Sequence, residues 1–123
     1  MHIQSIEPDR VEGFVSHLHL MVLEEAGIWK TPCESTEVVG NRTETHGPWP
    51  PAACSWVLQR WLGAELLGLF QREPGLETHD LPAAEAKAAL AAVETWTPSI
   101  GLFLFPTEAG EATPFRSWFR VLS

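Results

Sequence analysis

Cys54 is the residue with the clearest potential for chemistry. It follows Pro50-Pro51-Ala52-Ala53 at the start of a helix-forming stretch, where unpaired backbone N–H groups favour the thiolate, the form that attacks carbonyl carbon. His79 and Asp80 stand together in Glu-Thr-His-Asp and could supply a base and the carboxylate that orients it. A second pattern is His17-Leu18-His19, with Glu24 and Glu25 close behind. Two histidines one residue apart share a face only in a strand, because in a helix two residues advance by about 200° and part the rings.

The stretches AACSWVLQRWLGAELLGLF and ETHD place a cysteine on a helix before a histidine on a strand. That order resembles papain-like and transglutaminase-like cysteine hydrolases from Ala52 to Asp80. The resemblance implies hydrolysis, with Cys54 as nucleophile and His79 as base. The sequence departs from those families in its short Cys-to-His interval and in lacking the third polar residue on a further strand. The competing reading is that Cys54 is a small core residue on one stripe with Val57, Leu58 and Trp61, as free cysteine usually is.

The elements around these residues follow from periodicity. From Val11, the residues Phe14, Val15, Leu18, Met21, Val22 and Ala26 form one stripe at 100° per residue. Asp9 stands three residues before Glu12 as in a capping box, and Gly27 suits a helix end. A helix over about 9–26 is expected, with His17 and His19 on opposite flanks. A second helix runs from the Pro50-Pro51 pair to Gly63 and a third from Pro82 to about Trp96, with Asp80 as its cap. Strands are expected at 2–6, 65–70 and 76–79. The aromatic runs 100–105 and 115–122 read as a closing β-hairpin.

Residues 28–51 contain Pro32, Gly40, Gly47, Pro48, Pro50 and Pro51. They predict a long connection holding one short strand at about 36–39. Loops of that length in small domains tend to carry function. Trp29, Glu34, Glu37, Glu44 and Trp49 in this segment are therefore the candidate partner-binding residues.

Bulk properties narrow the function class. The chain has 123 residues, 45% of them hydrophobic, with six Trp and six Phe, which suits one globular domain able to bury a core without disulfides. Sixteen acidic against eight basic residues give a net charge of −8, which repels nucleic-acid phosphates and favours encounter with a basic protein surface. The start Met-His-Ile-Gln lacks a signal-peptide pattern and no apolar run is long enough to span a bilayer, so a cytoplasmic protein without membrane contact is expected. His2, His17, His19, His46 and His79 show no ligand spacing, and no metal or cofactor is expected. The third helix with the closing hairpin admits a winged-helix shape, but Glu85, Glu94, Glu108 and Glu111 would repel DNA.

The resulting expectation is an α+β domain, about three helices on one face of a mainly antiparallel sheet. Its expected role is to bind and inhibit, or scaffold, another macromolecule, as immunity proteins, antitoxins and anti-defence inhibitors do. The alternative is a small cysteine hydrolase using Cys54, His79 and Asp80.

Overall fold

Three sizeable helices, two short ones and two antiparallel sheets make up an α+β fold in the computed structural model, which describes residues 1–123. Helix α1 spans Val11–Leu23 and buries Val11, Phe14, Val15, Leu18 and Val22, the stripe that its 3.6-residue period dictates. It does not start from a capping box at Asp9. A 3-10 turn over Pro8–Arg10 leads in, and Arg10 holds the N-cap position without a side-chain bond.

The far end of α1 also differs from expectation. Glu25 takes the left-handed conformation at φ 54, with Glu25 N–H donating to Val22 O and Ala26 N–H to Met21 O, the paired bonds of a Schellman motif. Gly27 lies beyond the cap and bridges to Phe103 at the edge of the larger sheet.

Helix α2, Pro51–Gly63, begins with proline where a missing N–H costs nothing and buries Ala53, Cys54, Ser55, Val57, Leu58 and Trp61. Helix α3 covers Ala83–Ala91, shorter than sequence suggested, because the chain turns into a 3-10 segment at Val93–Thr95 before Pro98. Ser55 Oγ donates to Leu90 O at 2.6 Å and fastens α2 to α3.

The larger sheet has β3 (Leu67–Gln71) in the centre, β4 (His79–Asp80) on one side and β5 (Leu102–Pro106) on the other. The smaller is a hairpin of β1 (Ser35–Val39) and β2 (Arg42–His46), paired only with each other. The long connection thus contains two strands where one was expected. Residues 2–6 form no strand: Ser5 turns the chain at φ 71, and Ile3 and Ile6 are buried as single plugs.

The expected closing hairpin is also corrected. Only its first run is a strand. Residues Glu108–Glu111 form α4, capped by the Thr107 hydroxyl accepting from Gly110 N–H, and Phe115–Arg120 form α5. The reason is spacing: Phe115, Trp118, Phe119 and Leu122 stand at i, i+3, i+4 and i+7, which places all four on one helical face. Trp118 and Leu122 are buried there and Phe115 and Phe119 pack beside them.

One cluster of 22 buried residues joins α1, α2, α3, α5 and the inner face of β3 and β5. At its centre the Trp61 and Trp118 rings meet edge to face, 5.0 Å apart. Trp61 Nε1 donates to Trp118 O at 2.8 Å, satisfying a donor that would otherwise be costly to bury.

Candidate functional site

In the hairpin β1–β2, cross-strand partners share a face. Glu37 stands directly opposite Glu44, flanked by Ser35 opposite His46 and Val39 opposite Arg42. Like charges at directly opposed positions repel. Arg42 partly neutralises the pair, its Nη2 3.1 Å from Glu44 Oε1, and His46 Nε2 lies 3.5 Å from Glu37 and 3.9 Å from Glu44. Glu37, Glu44 and His46 also bring one ligand atom each within 4.8 Å of one another, close enough to share a cation. The period-two pattern Glu44-x-His46 on a strand is the signal that places these two together. On the other face Thr36, Val38, Thr43 and Thr45 are exposed, Val38 at 75%.

The five candidate contact residues separate into three environments. Glu34 and Glu37 are exposed and Glu44 half-buried on or beside the hairpin. Trp29 is half-buried, edge-on to Phe103 at 5.2 Å. Trp49 is core and does not present an anchor to solvent: it is 5% exposed, packs on Phe14 at 5.0 Å and lies beneath Arg10. The connecting segment folds it back against α1 through Trp49 N–H donating to Pro32 O.

The catalytic alternative fares poorly in the geometry. Cys54 is fully buried, and burial pushes its thiol up to about 12, opposed only in part by the Thr31 side chain. An activated nucleophile needs the opposite shift. His79 and Asp80 are neighbours on β4 and pair with Gln71 and Phe70 respectively, so they point to opposite faces of the sheet and Asp80 cannot orient His79. No hydrogen bond joins either of them to Cys54. The first-turn position that suggested a thiolate is overridden because the helix turns that position inward.

His17 and His19 part as the helical wheel requires. His17 Nε2 bonds Thr31 O at 2.9 Å, whereas His19 packs against Phe115 and Trp118.

An arrangement that sequence reasoning missed lies on the outer face of the larger sheet. Period two puts Leu102 and Leu104 on one face of β5 and Phe103 and Phe105 on the other. Phe70 stands opposite Phe103, and their rings stack 5.4 Å apart at 16°. Phe105 lies over Gly68 and Trp29 over Gly27, each glycine leaving the space that a side chain would fill. None of these four aromatic residues belongs to the 22-residue cluster or to the apolar residues packed on it, although Phe70 is itself buried. Arg72 rests on them, its guanidinium 5.0 Å from the Phe103 ring and 5.5 Å from Phe70. The alternation in Leu-Phe-Leu-Phe and in Leu-Gly-Leu-Phe was the available signal.

No family model, curated protein or solved structure matches the chain. None of its helices is long and apolar enough to cross a membrane.

Proposed function

We propose that this protein acts by binding a basic protein partner, which it inhibits or scaffolds in the manner of an immunity protein, antitoxin or anti-defence inhibitor, with the acidic face of the β1–β2 hairpin as a contact surface. The observation that carries this reading is the direct opposition of Glu37 and Glu44 on a two-stranded ribbon that no other strand supports. Two-stranded ribbons are marginal alone, and a repulsive central pair weakens this one further. A cation from a partner relieves that repulsion, so part of the binding energy comes from a cost already present in the free protein. The net charge of −8 extends the attraction to longer range. Hydrolysis through Cys54 has no geometric support.

The test is affinity capture from the source cell with the wild type and with the Glu37→Lys, Glu44→Lys double variant, followed by kinetics on the captured partner. The expected partner carries a basic surface, is lost with the double variant, and associates more slowly as salt rises above about 0.1 M, where screening acts beyond about 10 Å. A partner retained equally by both proteins, or an on-rate indifferent to salt, overturns the reading.

A further inference from the structure

Between the aromatic outer face of the larger sheet and the end of α1 lies a cavity of about 320 Å³, lined by Glu25, Phe70, Arg72, Thr78, Asp80, Phe105 and Pro106. Three strands and the turn that ends α1 converge on it. Asp80 reaches it because its strand position opposite Phe70 puts both side chains on the outer face. Glu25 reaches it because the left-handed turn that ends α1 carries the chain to the edge of β5, where Ala26 O accepts from Leu104 N–H. Phe70 and Phe105 supply aromatic rings 6.1 Å apart.

The charges do not cancel. Glu25 and Asp80 are exposed carboxylates with no ion-pair partner, since the ion pairs of this protein all lie in the hairpin. Arg72 is the one cation at the rim, and its guanidinium is turned over Phe103 and Phe70. Two carboxylates against one arginine leave the cavity with a net negative charge beside ring faces that are themselves negative at their centres.

We propose that this cavity is a binding site for an arginine side chain of a basic protein, with the guanidinium against the half-buried Phe105 ring, since Phe70 is already covered by Phe103 and Arg72, and with its N–H groups bonded to Glu25 and Asp80. The aromatic face already holds one guanidinium, that of Arg72, within cation–π distance of the Phe103 and Phe70 rings. Carboxylates are its strongest hydrogen-bond acceptors, and an anion would meet two unpaired carboxylates on entering. The site lies on a different sheet from the acidic hairpin. It rests on the basic-partner reading only in the source of the arginine, and its chemistry can be tested alone.

The probe is N-acetyl-L-argininamide, titrated into the full-length protein and followed by backbone amide NMR, with N-acetyl-L-citrullinamide as its neutral isostere. Saturable shifts centred on Glu25, Phe70, Asp80 and Phe105 are expected with the arginine probe and not with the citrulline one. The Glu25→Gln, Asp80→Asn double variant, altered only at exposed positions, should bind the probe at least about fivefold more weakly. Arg72→Gln removes the resident cation and should tighten binding. Equal shifts from both probes, unchanged affinity in the double variant, weaker binding of the arginine probe with Arg72→Gln, or saturable wild-type binding of an anion such as N-acetyl-glutamate that Arg72→Gln abolishes each overturn the assignment. The Glu37→Lys, Glu44→Lys variant should bind the probe as the wild type does, so failure of the hairpin reading and failure of this site appear in separate measurements.

Discussion

His19 and Trp118 meet edge to face, their ring centroids 4.7 Å apart and the planes at 71°. Phe115 closes the imidazole from another side at 5.1 Å. This pocket between α1 and α5 disfavours the charged ring, so burial lowers the His19 pKa below its ordinary 6.5.

The stability consequence has a definite sign. Below pH 6.5 the unfolded chain takes up a proton that the folded chain resists, so this residue subtracts stability as pH falls from 6.5, and the loss is complete below the native value. Urea midpoints measured from about pH 7.5 to 5 should fall more steeply in the wild type than in His19→Gln. Parallel curves would show that the ring is not the source.

Thiol labelling should split the two cysteines. Cys33 is exposed and Cys54 buried, and only a thiolate within reach of reagent reacts. Iodoacetamide should modify Cys33 alone in the native protein and both after unfolding. Rapid native labelling of Cys54 would restore the hydrolase reading. The raised thiol pKa also costs stability at alkaline pH, beginning near 9.0, where the unfolded thiol ionises first.

Trp49→Ala should act on folding. The ring is enclosed by Phe14, His17 and Arg10, and its removal should cost roughly 3–5 kcal/mol. Its Nε1 is buried without a partner. Trp49→Phe removes that orphan donor while keeping most of the ring volume and should cost clearly less than Trp49→Ala in denaturant unfolding. A variant that folds normally but loses partner binding would return Trp49 to the surface role.

Two glycines should respond in opposite directions. A methyl group at Gly110 would overlap the Leu66 carbonyl and come within 3.0 Å of the Trp118 ring, and neither backbone nor buried indole can yield cheaply. Gly110→Ala should destabilise by about 2 kcal/mol or more. Gly13 on α1 has open space around it, and Gly13→Ala should stabilise by about 0.5 kcal/mol. Thermal melts of the two variants separate these outcomes.

The sequence contained the helices wherever an apolar stripe was long. The α1 stripe from Val11 to Val22 and the α2 stripe from Ala53 to Trp61 appear as buried faces with the expected residues, because a 100° period admits one solution over three turns. The last run reads as strand by its aromatic composition and as helix by its spacing, and spacing prevails. Phe115, Trp118, Phe119 and Leu122 already obeyed the helical period, and six residues of helix are held there by the docking of Trp118 on Trp61. The hairpin was half visible: Thr36 to Val39 carried strand character, but Arg42 to His46 alternates charges and hydroxyls without an apolar face to mark it.

Sequence by itself determined the acidic charge, the two long helix stripes and the separation of His17 from His19, since each depends on composition or local periodicity alone. Tertiary structure decided which surfaces are available. It turned the Cys54 thiol into the core, placed Trp49 beneath Arg10, set Glu37 against Glu44, and gathered Phe70, Phe103 and Phe105 with Glu25 and Asp80 on one sheet face. Those outcomes depend on strand register and on which face of an element meets the core. Register and facing are fixed by contacts between residues distant in the chain, and a period of two or 3.6 carries no record of the partner.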